Sequence, residues 1–153
     1  MKPALLLVVT GLTLAVAVSA CNQDKSDKDE QDPAATAGSE EIEVGELSVA
    51  DLAGLLEDEN AKVAVLDSNG DKTRKQFGKI PNATLLSDYK KFDKSELPRE
   101  KDAKLVFYCS NTQCGASHAS AGVAMSEGYK DVNILPAGIM GWKEAGQKTE
   151  TVQ

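Results

Sequence analysis

Residues 104–128, KLVFYCSNTQCGASHASAGVAMSEG, decide the fold of this chain. The apolar and aromatic run at residues 105–108 predicts a short buried strand. Cys109 ends this run and is followed by six small or polar residues. Residues 116–127 then favour a helix of small side chains, with Gly128 in the position that commonly closes a helix. A thiol is therefore expected between a buried strand and a helix.

The position of Cys109 allows two interpretations. Ligands of α/β sheets bind at the carboxyl ends of the strands, where amides near a helix N-terminus can stabilise an anion. A cysteine placed there can become a reactive thiolate. The alternative is structural, because a free cysteine often packs as a small buried hydrophobe. Residues 110–115 favour the reactive role, since they are too polar for a core segment and too long for a minimal turn.

The flanking sequence alternates between predicted strands and helices. Apolar residues 63–66, which end at Asp67, predict a second buried strand, and residues 131–135 predict a third. Ser48 followed by Asp51 predicts a capping box that opens an amphipathic helix. The other expected elements are an edge strand near residues 44–47, helices at 71–77 and 136–146, an extended segment at 80–86 and one or two surface helices within 87–102. This order predicts a single α/β domain with an open, mainly parallel sheet and helices on both faces.

Residues 1–20 are typical of a targeting signal rather than of a folded domain. Lys2 precedes an apolar run that is too short for a confident membrane span. The run ends in Val18-Ser19-Ala20-Cys21, which resembles the lipobox of bacterial lipoproteins. That resemblance implies cleavage before Cys21, lipidation of Cys21 and a membrane-anchored position in the cell envelope, outside the cytoplasm. The alternative is an ordinary secretory signal cleaved near Ala20.

Composition defines the remaining parts of the chain. Residues 21–41 are acidic and contain no aliphatic side chain larger than alanine, so they predict a flexible tether that cannot bury a core. The folded domain is expected at residues 42–150, followed by a short tail at 151–153. The formal net charge of -7 argues against a nucleic-acid partner, because no basic stripe is present to neutralise phosphates.

Five sequence elements together resemble the rhodanese-like sulfurtransferase domain. In chain order they are VLD at 65–67, GKIPNA at 78–83, FYC at 107–109, GYKDV at 128–132 and GIMGWKEAG at 138–146. The resemblance covers Leu47 to about Glu150 and implies a rhodanese-like fold for nearly all of the predicted domain.

The resemblance also implies a chemistry for Cys109. In this family the cysteine at the strand end attacks a sulfane sulfur, becomes a persulfide and passes that sulfur to a thiophilic acceptor. The implied partners are a small sulfane-sulfur donor and a thiol acceptor, and no cofactor or metal is implied. Backbone N–H groups of the active-site loop would hold the anionic sulfur. The residues of that loop are Ser110, Asn111, Thr112, Gln113, Cys114 and Gly115.

Several residues depart from the family pattern. The loop contains no lysine or arginine, and Asn69 occupies the place of the arginine that follows the strand aspartate. A weak hold on dianionic donors such as thiosulfate is therefore expected. Phosphatases of this fold need an arginine where this chain has Gly115, so phosphatase activity is not expected. Besides sulfur transfer, a second function stays open, namely a non-catalytic redox or partner-binding module that uses Cys109 and Cys114.

Cys114 is the distinctive addition to the loop, and three roles are open for it. It can resolve a persulfide or sulfenate on Cys109 by forming a reversible disulfide, which an oxidising compartment permits. It can join Cys109 and His118 in a metal site, although the spacing fits no standard zinc pattern. It can also simply pack at the base of the loop. His118, the only histidine, is a candidate for electrostatic support of a thiolate.

The lipobox predicts that the mature protein partitions with membranes. Because a lipid on Cys21 would be the anchor, Cys21→Ala should abolish membrane partitioning. Fractionation of cells, followed by mass analysis of the mature N-terminus, measures both properties. Recovery of the unmodified protein as a soluble, unacylated form beginning at or near Cys21 would show that the assignment is wrong.

Overall fold

The computed structural model describes residues 43–153. The predicted signal peptide, Cys21 and the predicted tether lie outside the described residues. The described helices and strands, in chain order, are β1 (Gly45–Glu46), α1 (Val49–Glu57), β2 (Val63–Asp67), α2 (Asp71–Phe77), β3 (Thr84–Leu85), a 3-10 helix (Lys94–Glu96), β4 (Lys104–Tyr108), α3 (Ala116–Ser126), β5 (Val132–Leu135) and α4 (Gly138–Glu144). None of these helices has the length and apolar character needed to cross a bilayer.

The strands form one sheet in the order β1-β5-β4-β2-β3. Every neighbouring pair in this sheet is parallel. The central strand β4 lies between β2 and β5, and Tyr108 at its end is level with Asp67 on one side and Leu135 on the other. The predicted α/β fold with an open, mainly parallel sheet is therefore confirmed. The carboxyl ends of all the strands meet at one edge, which is where Cys109 follows β4.

Alternate residues of β4 pack into two separate hydrophobic cores, one on each face of the sheet. Leu105 and Phe107 pack on the sheet face that α3 covers, together with the loop before β4. Val106 and Tyr108 pack on the opposite face, which is covered by α1 and α4. All four side chains are fully buried, as expected for a strand covered on both faces. The helices on both faces therefore hold the central strand, and the backbone leaving it, in a fixed position.

The predicted ends of two helices agree with the structure. The side chain of Ser48 accepts a hydrogen bond from the backbone of Asp51, and the carboxylate of Asp51 accepts one from the backbone of Ser48, which completes the capping box of α1. Gly128 follows α3 with φ of 90°, a conformation that glycine adopts without steric cost. The buried side chains of α3 are all small; they are Ser117, Ser120, Ala121 and Ala124.

The segment at residues 87–102 differs from the expected surface helices. It contains only the short 3-10 helix, which Asp93 caps by accepting a hydrogen bond from the backbone of Ser95. Upstream, the carboxylate of Asp88 accepts hydrogen bonds from the backbone N–H groups of Lys90 and Lys91. Such side-chain bonds to nearby amides offer the backbone an alternative to helical pairing. The apolar residues of this segment, Phe92 and Leu97, are nevertheless buried in the core on the α3 face.

A buried polar network joins the ends of β2 and β4. The hydroxyl of Tyr108 donates to Asp67 Oδ2 at 2.7 Å and accepts from the backbone N–H of Ile80 at 3.1 Å. Asp67 Oδ1 accepts from the backbone N–H of Asn69 at 2.7 Å, as expected for a strand-end aspartate. Arg74 donates to the carbonyl of Asp67 at 2.9 Å. Burial, reinforced by the nearby Asp67, raises the pKa of Tyr108 well above its usual value, so this hydroxyl remains a donor.

The network predicts a stability cost for losing the Tyr108 hydroxyl. Tyr108→Phe leaves Asp67 Oδ2 and the Ile80 N–H without that partner in a buried site, which should lower the free energy of unfolding by about 1–3 kcal/mol. Denaturant unfolding followed by circular dichroism gives this value. The matched control is Tyr89→Phe, because the Tyr89 side chain is exposed and the same change there should stay within about 0.5 kcal/mol. Equal effects of the two substitutions would contradict a stabilising role for the network.

Candidate active site

The backbone that leaves β4 is fixed by the start of α4. The carbonyl oxygen of Cys109 accepts a hydrogen bond from the N–H of Ile139 at 2.8 Å, and that of Ser110 accepts one from Met140 at 3.0 Å. Gly138 has φ of 61°, and a Cβ at this position would lie 2.5 Å from the Cys109 carbonyl oxygen. Only a glycine therefore lets α4 approach the strand end this closely. The position of Cys109 is set by these contacts rather than by the loop that follows it.

The loop after Cys109 curls back so that Cys114 meets it. The two cysteines are joined in a disulfide, with Cα atoms 6.2 Å apart and five positions apart in the chain. Asn111 shapes the curl, because its side-chain oxygen accepts from the N–H of Gln113 at 3.0 Å and its carbonyl accepts from the N–H of Cys114 at 3.1 Å. The sequence left open whether the loop is curled or extended. The structure shows that it is curled and that Cys114 directly faces Cys109.

The two halves of the disulfide differ in exposure. Cys109 is only 2% exposed, whereas Cys114 is partly exposed. Thiol–disulfide exchange proceeds by attack on one sulfur with departure of the other, so access decides which sulfur is attacked. An external thiol can therefore reach the sulfur of Cys114 more readily than that of Cys109.

The first turn of α3 brings a serine to the Cys109 sulfur. Ser117 Oγ lies 3.6 Å from Cys109 Sγ, and Ser117 is 2% exposed. The carbonyl oxygen of Cys114 lies 3.1 Å from the same sulfur. When the disulfide is reduced, the serine hydroxyl can donate to a thiolate, whereas the carbonyl favours a thiol that donates to it. Ser117 is thus the neighbouring side chain that can stabilise the charged form of Cys109.

Backbone amides are the other electropositive groups of the site. Among the described residues, no acceptor is found for the N–H groups of Ser110, Asn111, Thr112 and Gly115. The first amides of α3 also have no partner within the helix, as at any helix start. No lysine or arginine occurs in residues 109–118. Any negative charge on a sulfur here would therefore be stabilised by backbone dipoles and by Ser117 rather than by a cationic side chain.

His118 lies outside this arrangement. It is exposed on α3, and no hydrogen bond or ion pair joins it to either cysteine in the part of the chain that the structure describes. Consecutive helix residues point roughly 100° apart, so a helix that turns Ser117 toward Cys109 turns His118 away. Within residues 43–153 no three His, Cys, Asp or Glu side chains form a group that can hold a metal ion. The alternative of a Cys109–Cys114–His118 metal site is therefore not supported by the geometry.

The end of β2 forms the neighbouring wall of the site. Ser68 donates from its hydroxyl to Ser120 Oγ at 2.9 Å, and Ser120 donates to the carbonyl of Tyr89 at 2.9 Å. This chain of bonds fixes β2, α3 and the loop after β3 around the end of β4. Asn69 is 7% exposed, and none of the described residues accepts a hydrogen bond from its Nδ2. The place that a family arginine would fill therefore holds a buried, uncharged donor.

Ser117 is a functional candidate that was not predicted from the sequence. Its signal there is weak, because serine is common at the start of helices and Ser117 is one of three serines in residues 110–120. Only the packing of α3 against the sheet selects this serine for contact with the Cys109 sulfur.

Comparison with known proteins agrees with the fold. The model of the rhodanese-like domain family matches residues 48–145, which is more than half of the chain. None of the curated proteins is similar enough in sequence to count as a relative.

Three solved structures illustrate the similarity. A protein of unknown function from Rhodopseudomonas palustris, named as a possible tyrosine phosphatase, is 25% identical with a TM-score of 0.57, and the match covers 70% of this chain and 85% of that one. The rhodanese-like domain of an Anabaena protein is 20% identical with a TM-score of 0.57 over 70% and 79% of the two chains. A single-domain sulfurtransferase from Saccharomyces cerevisiae is 19% identical with a TM-score of 0.55 over 68% and 92%. Because the family model matches most of the folded region, the chain belongs to the rhodanese-like domain family.

Proposed function

We propose that this protein transfers sulfur through a persulfide on Cys109, in a domain held at the cell envelope by a lipid on Cys21. The donor is a small molecule with a sulfane sulfur, and the acceptor is a thiol. The observation that carries the proposal is the position of Cys109. It lies at the carboxyl end of the central strand, beside the Ser117 hydroxyl and a loop in which four amides have no acceptor among the described residues.

Each of these features supports one requirement of the chemistry. A persulfide forms when a thiolate attacks a sulfane sulfur, so the site must favour the charged cysteine at neutral pH. Helix-terminal amides and the Ser117 hydroxyl act in that direction. The hydrogen bonds from Ile139 and Met140 hold the strand end still, which keeps the sulfur in place relative to those donors.

The absence of lysine and arginine from residues 109–118 bears on the choice of donor. A dianion such as thiosulfate loses much of its hydration on entering such a site, and backbone dipoles alone compensate for this less well than a lysine or arginine does. A hydropersulfide carries at most one negative charge and therefore suits this loop better. We infer that small hydropersulfides are used more efficiently than thiosulfate.

The phosphatase role suggested by the name of the Rhodopseudomonas palustris protein is not carried over to this chain. Gly115 occupies the position at which the C-x5-R phosphatase signature has its arginine. Without that guanidinium the loop lacks the bidentate group that holds a transferring phosphate.

A second candidate function is a non-catalytic thiol-pair module that responds to redox state or binds a partner. The observation that favours it is the disulfide between Cys109 and Cys114, which blocks the nucleophile in the structure. The two candidates differ in turnover. A sulfurtransferase consumes many equivalents of donor in the presence of a thiol, whereas a thiol-pair module reacts once.

The roles of the two cysteines can be separated by substitution. After full reduction and exposure to a small hydropersulfide, Cys109→Ser should gain no sulfur in the active-site peptide, because the attacking thiolate is gone. Cys114→Ser should gain one sulfur atom on Cys109. Intact mass with peptide mapping measures both outcomes. Sulfur loading by Cys109→Ser, together with its loss in Cys114→Ser, would reverse the assigned roles.

Ser117 should influence the reactivity of Cys109. Ser117→Ala removes a hydrogen-bond donor to the thiolate, so alkylation of Cys109 should be slower at neutral pH and should need a more alkaline solution. The pH dependence of alkylation, measured in the Cys114→Ser background so that Cys109 is the loop's single thiol, reports this change. Ser126→Ala is the matched control on the same helix, since Ser126 is exposed and bonds only to the carbonyl of Val123. An unchanged profile in Ser117→Ala would remove this serine from the site.

A further inference from the structure

We propose that Cys114 resolves the Cys109 persulfide, releasing hydrosulfide and leaving the Cys109–Cys114 disulfide, which a dithiol reductant then reopens by attack on Cys114. This inference rests on the proposed function, since it begins with the loaded Cys109. It adds a further activity, in which the domain reduces sulfane sulfur instead of only passing it to an external acceptor.

The loop holds Cys114 close enough to Cys109 for the resolving step. The Cα atoms of Cys109 and Cys114 are 6.2 Å apart, inside the range that an unforced disulfide needs. The curl that brings them together is maintained by the hydrogen bonds of Asn111 to Gln113 and Cys114. A thiol tethered this closely acts at a high effective concentration, on the order of millimolar or more. It therefore competes strongly with dilute external thiols for a persulfide on Cys109.

The burial of Cys109 favours attack by Cys114 over attack by an external thiol. A persulfide has two sulfur atoms that a thiol can attack, and the inner one belongs to Cys109. With Cys114 bonded to it, Cys109 is 2% exposed, so an external acceptor reaches the outer sulfur of a persulfide before the inner one. Cys114 is already placed against it, as the disulfide in the structure shows. Attack by Cys114 on the inner sulfur is therefore the route that the fold favours.

The resolving step balances without any additional oxidant. The Cys114 thiolate forms a bond to Cys109 Sγ, the bond between Cys109 Sγ and the outer sulfur breaks, and the outer sulfur leaves as hydrosulfide with its electron pair and its proton. The sulfane sulfur is reduced by two electrons, and the two cysteine thiols together are oxidised by two. The sulfane donor is thus the oxidant.

The regenerating step follows from the difference in exposure. One thiolate of the dithiol attacks the partly exposed Cys114 sulfur, and Cys109 leaves as a thiolate beside the Ser117 hydroxyl. The second thiol of the reductant then attacks its own sulfur in the mixed disulfide, which frees Cys114 and yields the oxidised reductant. Over one cycle a hydropersulfide and a dithiol give a thiol, hydrogen sulfide and an internal disulfide of the reductant.

A single-turnover experiment on the mature full-length protein tests the resolving step. The fully reduced protein is mixed under anaerobic conditions with a limiting amount of a small hydropersulfide and no other thiol. Hydrosulfide and intact protein mass are then followed, with Cys109→Ser giving the background. The unmodified protein should release hydrosulfide in proportion to the donor consumed and should lose two hydrogens. Cys114→Ser, and Cys114→Ala as a second variant, should instead retain the extra sulfur, with hydrosulfide at background.

The results distinguish a failure of resolution by Cys114 from a failure of sulfur loading on Cys109. If the unmodified protein keeps the extra sulfur and releases only background hydrosulfide, resolution by Cys114 is overturned while sulfur loading stands. Disulfide formation without hydrosulfide would also overturn it, since the oxidant would then not be the persulfide. If neither the unmodified protein nor the Cys114 variants gain sulfur or release hydrosulfide, the proposed function itself fails.

A separate experiment tests which of the two cysteines the reducing thiol attacks. The oxidised protein, treated briefly with the monothiol glutathione and quenched with acid, should carry the glutathione adduct on Cys114, as located by fragmentation of the peptide that contains both cysteines. Dithiothreitol should then restore both thiols and a second round of hydrosulfide release. An adduct found mainly on Cys109, or a protein that dithiothreitol fails to reactivate, would overturn the proposed route.

Discussion

The hydrogen bonds from the start of α4 to the carbonyls of Cys109 and Ser110 are the constraint on which the site depends. They stop the chain from drifting as it leaves β4, and they need Gly138 because no larger residue fits against the Cys109 carbonyl. With these two carbonyls occupied on the α4 side, the loop turns toward α3. The Cys109 sulfur is thereby held by a well-fixed part of the fold, whereas the path of the loop decides where Cys114 lies.

In this site, backbone amides rather than lysine or arginine side chains are placed to stabilise negative charge. Residues 109–118 carry no lysine or arginine, and the buried Arg74 is engaged with the carbonyls of Asp67 and Leu86 on the β2 side. Helix-terminal amides and one hydroxyl remain to stabilise a thiolate. A single charge on a sulfur atom needs less compensation for lost hydration than a dianion does. This balance connects the uncharged loop with the inference that the donor is a hydropersulfide.

Much of the fold was predictable because its signals are local. The apolar runs at residues 63–66 and 105–108 predicted β2 and β4, and the Ser48–Asp51 capping box predicted the start of α1. Residues 87–102 were not predicted well. Their charged sequence resembles a surface helix, but Asp88 and Asp93 bond to nearby amides instead, and burial of Phe92 and Leu97 then fixes an irregular path. Here tertiary packing outweighs helix propensity.

The sequence by itself determined the α/β fold, the strand-end position of Cys109 and the spacing of Cys109 and Cys114, because strand patterning and turn chemistry are encoded within a few neighbouring residues. The resemblance of five short motifs implied the rhodanese-like family. Only the tertiary structure decided that the loop curls to join the two cysteines, that Cys109 is buried while Cys114 is partly exposed, and that Ser117 rather than His118 faces the sulfur. The curl depends on the hydrogen bonds of Asn111, and the position of Cys109 depends on those from Ile139 and Met140. The contact with Ser117 depends on how α3 packs against the sheet. The last two features join segments that are distant in the chain, so no local pattern records them.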